Sequence, residues 1–376
     1  MNTDRKYDVA IVGGGLAGLS LAILLARESY RVCLFEKEAY PFHKVCGEYI
    51  SMESWDFLSN LGVPLADWNL PKIKQLLVTA PNGESISELL PLGGFGISRY
   101  KLDAALAAIA RKENVDVFEN TKVNSIHFDN ECHRLETSAG LFLSTVACAC
   151  YGKKSNLDVK WKRSFLHHRN QNYVGVKYHV KAMLPENQIA LHNFPGGYCG
   201  ISKIEDGLFC LCYLTTSENL RRSGQSISDM EEKILKRNPL LRKLLDEVEI
   251  LFDGPVTIAQ ISFAKKTQTE NHVLCVGDAA GMITPLCGNG MSMALHASNI
   301  VSESISFFLN KKITRDEMEK SYQRDWNRQF SARLRTGRIT QRFFGNTFWS
   351  VWLIRIMKPF PFVVRALIRK THGDKI

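Results

Sequence analysis

The stretch YDVAIVGGGLAGLSLAILLARESYRVCLFEKE, residues 7–38, decides the fold of this chain. A short apolar run leads into G-x-G-x-x-G, formed by Gly13, Gly15 and Gly18, and a long apolar helix pattern follows. A second apolar run then ends at Glu36. In a strand–turn–helix–strand unit, such glycines permit a tight turn, close approach of the backbone to a phosphate, and close contact between helix and strand. The stretch therefore predicts a Rossmann-like parallel sheet that binds a dinucleotide.

The same unit predicts which residues contact the nucleotide. The helix N-terminus after Gly15 offers unpaired N–H groups and a positive dipole end to the phosphates. Glu36 stands where a carboxylate accepts the ribose hydroxyls and repels a 2′-phosphate. The predicted contacts are Gly13, Gly15, Leu16, Ala17, Gly18, Glu36 and Lys37.

A second stretch near the other end of the chain indicates which dinucleotide is bound. HVLCVGDAAGMITPLCGNGMSMALHAS, residues 272–298, has an apolar strand pattern, a Gly-Asp pair, and a Gly-Asn-Gly that opens a helix. With the first motif it resembles the large FAD-binding family that includes para-hydroxybenzoate hydroxylase and geranylgeranyl reductase. The resemblance implies FAD, a hydrogen bond from Asp278 to the ribityl chain, and a helix N-terminus near Gly290 aimed at the flavin ring. The implied contacts here are Gly277, Asp278, Pro285, Gly288, Asn289, Gly290 and Met291.

Three further FAD contacts are implied between the two motifs. An arginine at the head of a helix, predicted here within residues 97–118, reaches the FAD in this family, and Arg99 matches it; the alternative is a surface arginine. Val123 lies where a backbone contact to adenine is expected, and Gly152 fits the family's Asp-Gly pair. Tyr151 replaces the aspartate of that pair, which argues against a hydroxylase type of NADPH site. The expected reductant is NAD(P)H or a protein electron donor.

The segment PFHKVCGEYIS, residues 41–51, resembles the P-x-x-K-x-C-G-G segment beside the flavin ring of geranylgeranyl reductases. Lys44, Cys46 and Gly47 match it and are expected to contact the cofactor, while Glu48 replaces the second glycine. Three roles are open for Cys46: a proton donor after hydride addition, a residue that shapes the pocket, or an inert thiol. Glu48 is a further candidate proton donor.

The chain is predicted to be α/β (α+β overall), with three regions. The Rossmann-like FAD-binding domain comprises residues 1–60, 97–158 and 268–310. Alternating strand patterns predict a mixed or antiparallel substrate sheet in residues 61–96 and 159–267. Residues 311–376 are predicted to form C-terminal helices.

The predicted substrate sheet carries one further candidate catalytic residue. In PGGYCGISK, Tyr198 matches an aromatic motif of the family's reductases, but Gly200 stands where a tryptophan would lie. The loss of that bulk implies a cavity of different shape, so the resemblance alone does not imply that this chain reduces prenyl chains.

The C-terminal region is strongly basic. Residues 331–376 hold ten Lys or Arg and one Asp or Glu, whereas the rest of the chain is nearly balanced. The aromatic residues among these bases are typical of helices at a membrane interface; the alternative is a helix pair that packs on the substrate domain. Nucleic acid is disfavoured because no recognition module is present.

Composition and cysteine spacing indicate the cellular compartment and whether a metal site is expected. The hydrophobic share of 45% and charged share of 23% are those of a globular protein. Ten cysteines with no secretory leader pattern predict free thiols in the cytoplasm. If the C-terminal helices lie at a membrane interface, the protein is also expected to associate with membranes. The C-x-C pairs indicate buried strand thiols, and no metal site is expected.

Together these features predict an FAD-dependent oxidoreductase that passes hydride from reduced flavin to a double bond of a lipophilic, prenyl- or polyketide-like substrate. The first alternative is a monooxygenase that hydroxylates an aromatic or polyketide ring through a flavin C4a-hydroperoxide. The second is a non-catalytic FAD-binding protein. A halogenase is disfavoured because the sequence lacks W-x-W-x-I-P.

Overall fold

The computed structural model describes residues 5–167, 173–284, 288–341 and 346–371. Within these residues the chain forms two β-sheets, of eight and nine strands, with helices packed against both. One sheet is largely parallel and the other is mixed. The predicted fold class is therefore confirmed.

The first sheet contains the predicted nucleotide-binding unit. Its strands are β1 (Arg5–Val12), β2 (Val32–Phe35), β6 (Asp116–Phe118), β7 (Val123–Asp129), β8 (Cys132–Thr137), β9 (Gly140–Ala149), β16 (Thr269–Glu270) and β17 (Val273–Cys275). Their order is β16-β17-β9-β1-β2-β6, and the five strands from β17 to β6 are parallel. β7 and β8 extend β9 as an antiparallel hairpin. All four residues of β2 are buried, as expected where both faces of a parallel sheet are covered.

The second sheet joins segments that are distant in sequence. Its strands are β3 (Tyr49–Ser51), β4 (Lys72–Thr79), β5 (Ser85–Gly96), β10 (Tyr173–Lys181), β11 (Gln188–Phe194), β12 (Gly197–Lys203), β13 (Phe209–Thr216), β14 (Glu249–Ile250) and β15 (Val256–Ile261). The order is β14-β10-β13-β12-β11-β4-β5-β3, with β15 also on β10. Residues 1–60 are predicted to belong to the cofactor domain, and within them β3 pairs with β5 of this second sheet.

Eleven helices are present in the described part of the chain. They are α1 (Leu16–Arg27), α2 (Trp55–Asn60), α3 (Arg99–Lys112), α4 (Asn156–Lys160), α5 (Ser217–Arg222), α6 (Ile227–Lys233), α7 (Pro239–Glu247), α8 (Gly290–Leu309), α9 (Arg315–Gln341), α10 (Thr347–Met357) and α11 (Pro361–Thr371). α1 packs against both α3 and α8 beside the first sheet, and α9 packs on α8. None of the described helices is long and apolar enough to cross a membrane.

Parallel pairing brings three distant segments to one edge of the first sheet. Val12 of β1 is in register with Ala149 of β9, and Ala149 is in register with Cys275 of β17. The carboxyl ends of parallel strands lie at the same edge, which is where ligands bind in open α/β sheets. The turns that begin at Gly13 and Gly277 therefore meet.

Strand alternation gives the second sheet two different faces. One face packs its apolar residues, including Val176 and Tyr213, against Met230 of α6 and Leu241 of α7. Side chains that alternate with these along each strand lie on the opposite face; on β10, Lys177 is one of them. That face meets the segment after residue 41, so it borders the candidate site.

Candidate functional site

The first glycine turn has almost no room for side chains. Gly13 has φ +108°, and a Cβ built there would lie 2.5 Å from the carbonyl oxygen of Cys150. A Cβ on Gly18 would lie 2.0 Å from the carbonyl oxygen of Gly13. Gly13 therefore permits the turn, and Gly18 permits contact between α1 and the strand end, as the motif predicts.

The start of α1 forms an anion site. Gly15 is the N-cap and provides no capping side chain for the first turn. A Cβ at Gly15 would meet only Nη2 of Arg99 at 3.4 Å and Nζ of Lys44 at 3.8 Å. The N-terminal N–H groups of a twelve-residue helix and two cations thus converge here. This arrangement fits a pyrophosphate.

Glu36 is fixed beside this turn. Its side chain is buried and accepts hydrogen bonds from the backbone N–H of Gly14 at 3.0 Å and of Lys37 at 2.8 Å. The hydroxyl of Tyr40 donates to the carbonyl oxygen of Gly14 at 2.6 Å. The carboxylate is therefore held at the end of β2, where the ribose contact is predicted.

The two cations at Gly15 are held by a carboxylate that the sequence analysis missed. Arg99 donates to Asp103 through Nε at 2.7 Å and Nη2 at 2.8 Å, and Nζ of Lys44 lies 3.1 Å from the same carboxylate. Burial alone would raise the pKa of Asp103, but the two cations hold it below its ordinary value. The i, i+4 spacing of Arg99 and Asp103 on one helix was the available signal.

The second glycine turn packs directly on the first unit. Gly277 has φ +64°, and a Cβ there would lie 3.1 Å from Cβ of Ala17 in α1. The carbonyl oxygen of Asp278 accepts from the buried Nζ of Lys266 at 2.8 Å, and Lys266 also donates to the carbonyl of Lys153 at 2.9 Å. Burial lowers the pKa of Lys266 to about 8, although Asp278 and Asp158 oppose this. No sequence pattern pointed to Lys266.

The beginning of α8 completes the predicted cofactor contacts. Gly288 has φ +66°, and a Cβ there would lie 3.1 Å from the ring of Tyr49. α8 starts at Gly290, and the side chain of its N-cap, Asn289, does not cap it. The twenty-residue helix thus directs an N-terminus to the junction of the sheets. Pro285 lies outside the described residues, and Met291 is buried.

The remaining predicted cofactor contacts lie at the first sheet. Val123 is buried at the start of β7. Gly152 has φ +81° and nothing within 4 Å of a built Cβ. Tyr151, which replaces the family's aspartate, donates its hydroxyl to Asp158 at 2.6 Å. Its hydroxyl therefore has a structural partner in this chain.

The segment that contains Cys46 is clamped between the two sheets. Val45 lies against Gly175 of β10, where a built Cβ would be 2.9 Å from Cγ1 of Val45. The carbonyl oxygen of Cys46 accepts from Sγ of Cys210 at 3.2 Å. Cys46 is half-buried, while Gly47 is exposed, and no atom of the described residues lies within 4 Å of its built Cβ. A thiol therefore stands beside open space at the junction.

Glu48 is fully buried and accepts three hydrogen bonds. Its carboxylate accepts from Nζ of Lys177 at 2.5 Å, from Nε2 of His179 at 2.6 Å, and from the backbone N–H of Arg99 at 2.8 Å. Burial would raise the pKa of Glu48, but His179 and Lys177 hold it below its ordinary value. Burial would lower the pKa of Lys177, yet Glu48 raises it. The pair is therefore ionised.

The same carboxylate lies near His179 and Cys210 in an arrangement that resembles a three-ligand metal site. Nζ of Lys177 lies 2.5 Å from the same carboxylate, so Glu48 is already paired with a cation. The group is an ion-pair site. Lys177 and His179 were missed from the sequence, although two polar residues at i and i+2 of an apolar strand were a signal.

His43 lies above this ion-pair site. Its ring stacks on Tyr100 at 4.7 Å and meets His179 edge-on at 5.0 Å between centroids. Burial, followed by the charge of Lys177, lowers the pKa of His43 to about 4. The imidazole is therefore neutral near pH 7.

Tyr198 lies on the face of the second sheet that carries Lys177 and Cys212. It is buried among apolar residues, including Leu191, Leu214 and Met282. The adjoining Gly200 pairs with Cys212, and its built Cβ would meet Leu191 at 3.4 Å. The predicted candidates Cys46 and Tyr198 thus border the same face, but Tyr198 belongs to an apolar cluster and Cys46 to the polar junction.

The described residues fit FAD: two glycine turns converge, cations and helix N-termini face the phosphate position, and a buried carboxylate lies at the ribose position. Residues 6–137 match the family described as FAD binding domain. This match covers the first glycine turn and the segment of Cys46.

Known proteins of related sequence and fold agree with this assignment. The chain is 26% identical over 363 residues to conditioned medium factor receptor 1 of Dictyostelium discoideum, covering 86% of this chain and 68% of the relative. It is 23% identical over 363 residues to digeranylgeranylglycerophospholipid reductase of Thermoplasma volcanium, covering 86% of each chain. The solved structure of the flavin-dependent brominase Bmp2 has a TM-score of 0.80, with 18% identity, and covers 98% of this chain and 93% of that one.

The family match supports FAD as the cofactor. The proteins compared include both a reductase and a brominase, so the specific reaction is not determined. The predicted resemblance to FAD-dependent oxidoreductases of the geranylgeranyl reductase and hydroxylase superfamily is confirmed.

Proposed function

We propose that this chain reduces a double bond of a lipophilic, prenyl- or polyketide-like substrate. The observation that carries the proposal is the clamped segment at the sheet junction, where the half-buried Cys46 and the exposed Gly47 border open space. FAD, when bound, supplies a hydride from its reduced ring. Electrons reach it from NAD(P)H or a protein donor.

The junction favours Cys46 as the proton donor that complements hydride addition. Glu48 is ionised and already accepts three hydrogen bonds, so it positions the segment. His43 is neutral near pH 7 because its pKa is about 4. The N–H of a neutral imidazole is a far weaker acid than a thiol, so Cys46 is the group of this segment that suits proton donation.

The face of the second sheet supports a lipophilic substrate. Beside the polar junction, Tyr198, Leu191 and Leu214 are buried in an apolar cluster, and Gly200 adjoins this cluster without a side chain of its own. A substrate chain that enters between the sheets beside this cluster would bury apolar area while its reacting carbons approach the junction. The name of the Thermoplasma volcanium relative, which describes a prenylated lipid as substrate, supports the same class.

The proposal is tested by single turnover in the absence of oxygen. Holoprotein reduced with one equivalent of dithionite is mixed with geranylgeraniol as the probe, and flavin absorbance and product mass are recorded. We expect reoxidation of the flavin and a product that has gained two hydrogen atoms. Reoxidation only with oxygen, with an added oxygen atom in the product, or a halogenated product in the presence of halide, would overturn the reductase assignment.

The role of Cys46 is tested in the same assay with Cys46→Ser. We expect reoxidation by the probe to slow by about 100-fold, because general acid catalysis contributes on this scale. The control is Cys212→Ser, on the bordering sheet face, which should keep the wild-type rate. Full turnover by Cys46→Ser would show that the thiol only shapes the pocket.

A further inference from the structure

The two C-terminal helices carry large apolar side chains on their outer surface. Six of these are 42–69% exposed and are called here the aromatic face: Phe348, Trp349, Trp352, Ile356, Phe360 and Phe362. The rings adjoin in two groups. Centroids are 5.4 Å apart for Phe348 and Trp349 and 5.7 Å for Trp349 and Trp352 in the first group, and 5.9 Å for Phe360 and Phe362 in the second. Contiguous exposed apolar groups of this size mark interaction surfaces.

The opposite side of the same helices is anchored on the second sheet. Met357 of α10 and Val364 of α11 are buried in a cluster with Tyr49 and Ile73. Ile354 is buried in the cluster that contains Tyr198. These contacts fix α10 and α11, so the aromatic face is directed outward by a packed structure.

Two ion pairs add to this anchor. Arg355 donates to both carboxylate oxygens of Glu84, with Nε 2.9 Å from Oε1 and 3.0 Å from Oε2. Nε of Arg365 lies 3.6 Å from Glu88. Both acids belong to the β4–β5 region, so these arginines hold the helices on the sheet while their neighbours Trp352 and Ile356 stay exposed.

The charge around the aromatic face selects an anionic partner. Residues 331–376 carry ten bases and one acid, and two of these bases, Arg355 and Arg365, are paired with acids of the second sheet. Lys358 is exposed at the corner between α10 and α11, next to Phe360. Rings that combine apolar area with basic neighbours are favoured at the headgroup depth of bilayers, and anionic lipids attract the bases. A second copy of this chain would bring the same positive charge, so self-association through this face is opposed.

We propose that the aromatic face binds the surface of an anionic lipid bilayer, with α10 and α11 lying in the headgroup plane. At eleven residues each, both helices suit this orientation. Because Ile354 on the inner side contacts the cluster of Tyr198, the bilayer would lie next to the apolar face of the second sheet. The proposal does not depend on the proposed reaction, since binding is measured without turnover.

The test is co-sedimentation of the full-length holoprotein with vesicles. Phosphatidylcholine vesicles with about a third phosphatidylglycerol are compared with pure phosphatidylcholine, in low salt and in about 1 M NaCl, where the Debye length is about 3 Å. We expect binding to the anionic vesicles that is weakened by salt. Equal binding to both vesicles, or none to either, would overturn the proposal.

Two triple variants distinguish binding through the aromatic face from non-specific binding through other exposed apolar residues. In the triple variant W352Q/F360Q/F362Q, partitioning to anionic vesicles should fall by more than about tenfold, because three apolar anchors are lost. The matched control is L240Q/I250Q/L251Q, whose residues are 37–48% exposed and lie outside the C-terminal helices; it should bind as the wild type does. Flavin content and the unfolding temperature report that each variant is folded.

Two results would contradict the assignment of this surface. Equal losses in both triple variants would show that the aromatic face has no special role. A wild-type chain that elutes as a larger species, alongside a monomeric W352Q/F360Q/F362Q, would show that the face covers a second copy instead.

Discussion

The two glycine turns and the ion-pair site of Glu48 meet at the same junction, but they are specified in different ways. At Gly13 and Gly277, positive φ and nearby atoms decide the residue. At Glu48, side-chain pairing decides, because Lys177 and His179 lie 129 and 131 residues further along the chain. The cofactor turns are therefore encoded in short segments, whereas the site beside them depends on contacts across the whole fold.

The largest loss of stability is expected at Gly13, where backbone geometry and close neighbours exclude any side chain. Gly13→Ala adds a Cβ 2.5 Å from the carbonyl of Cys150 at φ +108°, and Gly140→Ala adds one at φ +112° with nothing within 4 Å. Gly140→Ala is the control: it adds only backbone strain, which costs about 1–3 kcal/mol. Gly13→Ala adds the clash, so we expect about 4 kcal/mol in all and loss of bound FAD.

Chemical denaturation and the flavin absorbance that survives gel filtration measure both effects. If Gly13→Ala keeps its flavin and is no less stable than Gly140→Ala, the first turn is not sterically determined.

This difference explains how much could be predicted from the sequence. Glycine spacing and strand patterns located the cofactor turns, because turn geometry restricts the residue at each position locally. Lys266 and Lys177 were missed, because a buried lysine is tolerated only where partners from other elements surround it. The helices of the tail were predicted, but which of their faces would pack on the second sheet depended on contacts with Tyr49 and Ile73.

The next largest loss of stability is expected at the ion-pair site, which is tested by comparing two lysines of the same strand, β10. Lys177→Met leaves Glu48 buried with one cationic partner fewer, whereas Lys181→Met removes an exposed partner of Glu249. Breaking a buried pair from one side costs about 3 kcal/mol or more, and an exposed pair contributes about 0–1 kcal/mol. Urea denaturation at pH 7 should therefore show a large loss for the first variant only. Similar losses in both would mean that the buried pair is no more important than a surface one.

A smaller effect is expected in the pH dependence of the same site. The folded pKa of Glu48 lies below its ordinary value of 4.5, so the unfolded chain binds this proton first as the pH falls. The stabilisation is complete above pH 4.5 and is lost as the pH falls through the folded pKa. The difference in unfolding free energy between wild type and Glu48→Gln is expected to be about 3 kcal/mol or more at pH 7, because the same buried pair is broken. Part of this difference should be lost below pH 4.5.

Denaturation at a series of pH values between 7 and the acid limit measures this difference. The control is Glu249→Gln, at an exposed pair, whose difference from wild type should stay near zero throughout. A Glu48→Gln difference that is the same at pH 7 and at pH 4 would show that folding does not lower the pKa of Glu48.

The smallest effect is expected at the residue that links the two kinds of site. The backbone N–H of Arg99 donates to Glu48, and its guanidinium makes a two-point contact with Asp103 beside Gly15. Arg99→Lys keeps the backbone bond and the charge but removes the two-point contact, which contributes about 1 kcal/mol. We therefore expect FAD to bind about fivefold more weakly to Arg99→Lys, with stability at pH 7 nearly unchanged. Fluorescence titration of the apoprotein measures the affinity, and Arg27→Lys, at the exposed pair with Glu113, is the control. A loss of stability as large as that of Lys177→Met would mean that the cofactor turn and the ion-pair site are one cooperative unit, and the distinction between them would fail.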